Sequence, residues 1–249
     1  MKTSARFTIS TFAAALLGLA AASSVHAVPV ISNGGFEAGF TSWTRADQTG
    51  SEGTFFLQSG TTSPVNGDPV PAPPQGTTAA MTDAPGPGSH VLYQDFLVPT
   101  AGAATLSFAL FIGNRGDRFS TAVSLDFSTP ALNQQARVDI VRSTADPFSV
   151  AAADVFLNLY QTKPGDPLIS GYNTITTDIT ALLAAHVGET VRLRFAEVDN
   201  LAPFQMGVDN VSINAVNAVP EPASTLLLGA GLAALFGCRI GTRSRRERV

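Results

Sequence analysis

Apolar and polar residues alternate with a period of two along much of the chain between residues 91 and 215. From Ala104 to Ile112, Leu106, Phe108 and Leu110 alternate with Thr105, Ser107 and Ala109, which is the signature of a half-buried strand. Val91 to Val98 opens the series, and Phe119 to Phe127 repeats it with Val123, Leu125 and Phe127 on one face. The same reading predicts strands over Ala136 to Arg142, Val155 to Gln161, Asn173 to Ile179, Thr190 to Val198 and Gln205 to Ala215. Turn residues separate them, notably Gly113-Asn114-Arg115-Gly116 and Pro164-Gly165-Asp166-Pro167. One short helix is predicted at Thr180 to His186, with Asp178 ahead of it and Gly188 behind. Residues 58–89 carry seven prolines with few large apolar groups, so they are expected to form a long surface loop. Many short strands at this spacing predict an all-β fold, an antiparallel β-sandwich or jelly roll.

The two ends of the chain follow different rules. Lys2 and Arg6 precede an apolar run from Ile9 to Ala22, and Val25-His26-Ala27 fits a small-x-small cleavage site. Residues 1–27 are therefore expected to be a signal peptide, with a mature start at Val28. At the other end Val219-Pro220-Glu221-Pro222 leads into an uncharged run from Ala223 to Phe236, followed by Arg239, Arg243, Arg245, Arg246 and Arg248. Residues 224–240 would make a helix of roughly 25 Å, at the short end of membrane-spanning length. The arginines favour the cytoplasmic side, leaving residues 28–218 outside as the exported domain. Pro220 and Pro222 disfavour helix, which holds Glu221 on an extended segment open to a protease.

This order of motif, single transmembrane helix and basic tail, residues 219–249, resembles the PEP-CTERM signal of Gram-negative bacteria. The resemblance implies recognition and cleavage by a membrane protease of the exosortase type, a transient membrane anchor, and a final place in the cell envelope or extracellular matrix.

Charge supports the partition. Residues 28–219 hold 8 Lys/Arg against 17 Asp/Glu, a balance of −9, whereas the whole chain stands at −4. An acidic exported domain argues against nucleic acid or an anionic membrane face as partner and is compatible with divalent cations. The only cysteine, Cys238, falls in the tail, so the exported domain has no disulfide. It reads as apolar filler better than as a lipidation site.

The exported domain opens with Asn33-Gly34-Gly35-Phe36-Glu37, then Gly39-Phe40 and Trp43, and closes with Val208-Asp209-Asn210-Val211-Ser212-Ile213. This pair of motifs resembles the galactose-binding-like jelly rolls of carbohydrate-binding modules and bacterial surface proteins. The resemblance implies first and last strands side by side, with a structural Ca²⁺ held by Glu37 and Asp209, and Asn33 as a less regular contributor. Without a metal, the same two carboxylates would serve turns and loop hydrogen bonds. Trp43 is expected in the core. Of the tyrosines, Tyr93 and Tyr160 fall inside strand patterns, so Tyr172, at a loop border, is the weak candidate for a sugar-binding platform.

Little in the domain suggests catalysis. His90 and His186 are far apart, and neither a cysteine nucleophile nor a Gly-x-Ser-x-Gly elbow is present in it. Arg115-Gly116-Asp117 reads as a hairpin turn, and the charges at Arg192, Arg194, Glu197 and Asp199 as the solvated face of a strand. The expectation is a non-enzymatic structural or polysaccharide-binding protein of the cell surface. A carbohydrate-active hydrolase, using a carboxylate pair that the sequence does not single out, is the alternative.

Overall fold

In the computed structural model, residues 28–216 are described; the signal-peptide, processing-motif and transmembrane expectations lie outside them. Eleven strands and one helix follow in order. They are β1 (Val28–Pro29), β2 (Thr44–Asp47), β3 (Thr54–Gln58), β4 (Ala79–Asp83), β5 (Gly88–Leu97) and β6 (Ala103–Asn114). Then come β7 (Gln134–Arg142), β8 (Val155–Gln161), β9 (Asn173–Asp178), α1 (Thr180–Ala185), β10 (Thr190–Asp199) and β11 (Phe204–Val216).

The strands form two antiparallel sheets. One runs β3-β4-β11-β6-β9, with β1 added along β11, and the other runs β2-β5-β10-β7-β8. The expected all-β sandwich is therefore what the chain forms. Alternation dictates the packing: Leu106, Phe108 and Leu110 of β6 face Leu193 and Phe195 of β10 across one apolar core. An aromatic relay crosses that core, from Phe36 to Trp43 (5.2 Å between centroids), Trp43 to Phe195 (6.0 Å) and Phe195 to Phe108 (5.4 Å). Trp43 is buried, as its place in the opening motif suggests, and its indole N–H donates to the Asn33 carbonyl. The short helix caps one end of the sandwich, where the Asp178 carboxylate accepts the Thr180 N–H and Leu183 enters the core.

Three expectations change. The 58–89 segment is not loop throughout: β4 runs through it, fully buried between β3 and β11, and β5 begins at Gly88. The composition of β4, Ala-Ala-Met-Thr-Asp, hides it, because Ala and Asp have little strand preference. Phe119 to Phe127 is no strand, apart from one bridge between Ser120 and Gln134. Side chains take over its backbone, with Asn133 and Gln135 donating to the Ser124 carbonyl and Ser124 Oγ accepting the Asp126 N–H. Val123 is left 95% exposed although Leu125 is buried, so the alternation there carries no sheet face. The third change concerns the β10 charges. Arg192, Arg194, Glu197 and Asp199 are all buried, with Arg194 at 0% and Glu197 at 1% exposure.

Candidate functional site

The opening and closing motifs meet. β1 pairs with β11 through Val28 opposite Ala215, which brings the Asn33–Glu37 turn over the irregularity that breaks β11 between Asp209 and Ser212. Asn33 organises the turn: its amide donates to the carbonyls of Gly39 and Thr41, and its Oδ1 accepts the Ala38 N–H. Asn33, Phe36 and Asn210 all take positive φ, the left-handed region that Asn tolerates best among non-glycine residues. Gly34 accepts the Val211 N–H at 2.9 Å. Any Cβ at Gly34 would overlap the Val211 carbonyl, so glycine is required by close approach.

Glu37 and Asp209 both turn to residues 75–78. Glu37 Oε1 accepts the N–H groups of Thr77 and Thr78 (2.9 Å each) and the Thr78 hydroxyl, while Oε2 accepts the Thr77 hydroxyl. These donors, led by the Thr77 and Thr78 N–H groups, lower its pKa to about 2. Asp209 is buried; its Oδ2 accepts the Gln75 N–H (2.9 Å) and its Oδ1 the Asn210 N–H (2.6 Å). Burial raises the Asp209 pKa to about 6 against those hydrogen bonds, and the Glu37 charge adds to the rise. The two carboxylates thus pin the 75–78 loop onto the junction of the termini. All four of their oxygens accept protein hydrogens. Among the described residues no group of three or more His, Cys, Asp or Glu side chains is placed to hold a metal.

Tyr172 is used differently from a sugar platform. Its hydroxyl donates to Gln58 Oε1 (2.8 Å), and its ring packs on Phe111 beside Val70 and Met81. Burial, aided by the Asp209 charge, raises its pKa. It clamps the loop that follows β3, because Gln58 in turn donates to the carbonyls of Gly60 and Pro71.

The charges of the second sheet form two groups on opposite faces. On the outer face, Asp139 of β7 accepts bidentate hydrogen bonds from Arg137 (2.7 Å each) and a further pair from Arg194, the shorter at 2.6 Å. Arg194 also donates to the carbonyls of Pro147 and Ser149, and Arg192 to that of Ala145, so the 143–154 loop lies over this face. Arg192 pairs with Asp95 and stacks 3.9 Å above the Tyr93 ring. On the inner face, Glu197 and Asp199 continue the row of Leu193 and Phe195 between the sheets, and Glu197 stands opposite His90 in the β5 register. His90 Nδ1 and Asp47 Oδ1 lie 2.7 Å apart. Glu197 Oε1 has no hydrogen-bond partner among the described residues, and burial first, then the Asp199 charge, raise the Glu197 pKa well above the usual range. Asp199 accepts the Gly88 N–H at 2.7 Å, and burial raises it to about 7. Within β10, residue parity separates the outward Arg192 and Arg194 from the inward Glu197 and Asp199, a signal that the one-face expectation leaves unused.

With this geometry in place, the comparisons with known proteins divide the chain in two. Residues 218–246 match the PEP-CTERM protein-sorting motif, the stretch that holds Val219, Pro220, Glu221 and Pro222. Such a motif implies export, membrane-anchored sorting in a Gram-negative bacterium, and exosortase processing. The rest of the chain is similar in architecture to TmCBM61 in complex with β-1,4-galactotriose (10% identity, 76% of this chain and 99% of that one, TM-score 0.41). It is also similar to the K3 cleaved adhesin domain of Lys-gingipain from Porphyromonas gingivalis W83 (16% identity, 75% and 99% covered, TM-score 0.45). A third likeness is to the Stig cyclase Fisc from Fischerella sp. TAU (17% identity, 78% and 100% covered, TM-score 0.43). A sugar-bound module, an adhesin domain and a cyclase select no single activity. No curated protein matches the sequence.

Proposed function

We propose that this chain is an exported protein of the bacterial envelope or extracellular matrix whose sandwich works by structure and polysaccharide binding rather than catalysis. The observation that carries the proposal is the sorting motif at residues 218–246. The buried charges support the non-enzymatic part. A glycosidase needs two carboxylates reaching one bond from a cleft. Glu197 and Asp199 are neighbouring carboxylates with raised pKa values, yet Glu197 is 1% exposed and faces the sheet interior. Glu37, Asp139 and Asp209, whose pKa values are also shifted, are held by hydrogen bonds from their own fold. In this proposal an exosortase-type protease cuts close to Pro220-Glu221-Pro222, and the membrane helix and arginine tail are left behind. Mass spectrometry of the protein recovered from the native envelope and medium tests this. The expected product begins at Val28 and ends near Pro222. Recovery of a chain still ending at Val249 would replace the sorted matrix protein with a plain membrane-anchored one.

Calcium enters the proposal as a structural ion at Glu37 and Asp209. Two carboxylates supply at most four of the six to eight oxygens that Ca²⁺ takes. Since those oxygens already accept N–H and O–H groups, binding requires the 75–78 loop to open toward the ion. A bound ion would relieve the repulsion between the two carboxylates and lower the Asp209 pKa. Thermal unfolding at neutral pH with calcium and then with a chelator reads this directly. Calcium at 100 times its Kd adds about 2.7 kcal/mol, or ~5–10 °C for a domain of this size. An unchanged midpoint removes calcium from the account and leaves the loop-pinning role of both carboxylates.

A further inference from the structure

The sandwich is open along one seam. Among the described residues β8 pairs only with β7 and β9 only with β6, so the two sheets end side by side with no described strand closing the gap. Residues 162–172 cross from one sheet to the other there, and they are tied to β6 where Asn114 donates to the Leu168 carbonyl and Ser170 to that of Ile112. Between the edges lies a cavity of about 290 Å³, lined among others by Leu110, Ile112, Ile175, Tyr160, Asp166 and Asn173. Its volume is at the low end of the ~300–1,000 Å³ typical of small-molecule sites, room for one ring rather than an extended chain.

The lining has two chemistries. Leu110 and Ile112 belong to the core, and with Ile175 they form an apolar floor. Tyr160, Asp166 and Asn173 supply polar atoms around it. The influences on the Tyr160 phenol are burial, the larger, and then the Asp166 charge, with no hydrogen bond among them. Both raise its pKa, so the phenol keeps its proton and is a donor. Asp166 lines the cleft and is fixed by the Lys163–Asp166 turn, in which its Oδ2 accepts the Lys163 N–H at 2.8 Å. Asn173 engages its Nδ2 with the Gly171 carbonyl, which leaves its Oδ1 as acceptor.

We infer that this cleft between the edges of β8 and β9 binds a single neutral sugar ring of an extracellular polysaccharide. A pyranose presents a C–H face, which suits the apolar floor, and a rim of hydroxyls, which suits one phenol donor and two amide or carboxylate acceptors. Anionic sugars are disfavoured by Asp166 and by the −9 balance of residues 28–219. A purely apolar ligand would desolvate the Asp166 carboxylate and offer it no hydrogen bond in return. The inference rests on the proposed polysaccharide-binding role and locates it.

The test uses the full-length protein and a panel of methyl glycosides of glucose, galactose, mannose and N-acetylglucosamine, followed by saturation-transfer NMR and calorimetry. Tyr160→Phe and Asp166→Asn are the informative variants, because each keeps shape while removing a hydroxyl or a charge. At least one glycoside is expected to bind, and each variant to bind it about tenfold more weakly. Undiminished binding in both variants would discard the cleft while leaving the polysaccharide role intact. Failure of the wild type to bind any of the glycosides, or polysaccharide from its own host, would overturn both.

Discussion

Asp139→Ala is expected to destabilise the sandwich by about 3–5 kcal/mol, the range for breaking a buried ion pair from one side. Asp139 is the only carboxylate hydrogen-bonded to Arg137 and Arg194 among the described residues, and both it and Arg194 are fully buried. Burial alone would raise the Asp139 pKa, but the two arginines and Asn158 prevail and hold it below the usual range. Its removal strands two guanidiniums, one of them with no exposure, in a region where hydration cannot replace the lost charge. In thermal unfolding this corresponds to a drop of ~8–15 °C. Arg194 also anchors the 143–154 loop through Pro147 and Ser149, so limited proteolysis in that loop should rise in the same variant. Replacing Arg137, Asp139 and Arg194 together by Met, Leu and Met should cost less than Asp139→Ala alone, since no charge is then left unpaired. A single variant within about 1 kcal/mol of the wild type would mean that water reaches the arginines and that the triad adds little.

That triad shows where sequence reading succeeds and where it stops. Strands β6 and β8 were legible because their apolar residues alternate or cluster between clear turns, and the observed Val155–Gln161 coincides with the expected span. Strands β2 and β3 were not read as strands. They are four and five residues long, and β2 carries Thr, Arg and Asp at an exposed edge of its sheet. The 119–127 alternation misled because side-chain hydrogen bonds to the backbone competed with a ladder. The charged pairs were harder still. Arg194 and Asp139 are 55 residues apart, and only the β7–β10 register brings them opposite each other. Glu37 and Asp209 were selected as a pair through their motifs, and the structure does bring them to one junction. Their partners at residues 75–78 carry no signal of their own, because the contacts span about 40 and 134 residues. Local pattern therefore reports which residues enter the core; which charge neutralises which is decided by pairing order.

The inner-face acids make stability depend on pH in an unusual direction. Unfolding should become easier as pH rises from about 4 to 8, where most small domains are near their optimum. Glu197 and Asp199 both have folded pKa values above their unfolded ones, so across that interval the folded chain holds more protons than the unfolded chain. Linkage then requires stability to fall with rising pH. A carboxyl moved from 3.8 to about 7, as for Asp199, loses on the order of 4 kcal/mol across the whole interval. Asp209, raised to about 6, acts in the same sense, and Glu37, lowered to about 2, acts in the opposite sense only below its ordinary range. The groups facing Glu197 explain why it does not simply ionise. Asp199 lies two residues along the same row, and Thr82 from β4, which lies beside it, donates its hydroxyl to the Phe204 carbonyl instead. His90 stands across the β5 register but is engaged with Asp47. Glu197→Gln keeps the shape and removes the proton. It should flatten the alkaline side of the profile, making the variant the more stable protein at pH 8 while changing little at pH 5. Urea unfolding of both proteins across this range is the measurement. A wild-type midpoint that stays level or climbs from pH 5 to 8 would show that Glu197 has found a cationic or hydrated partner.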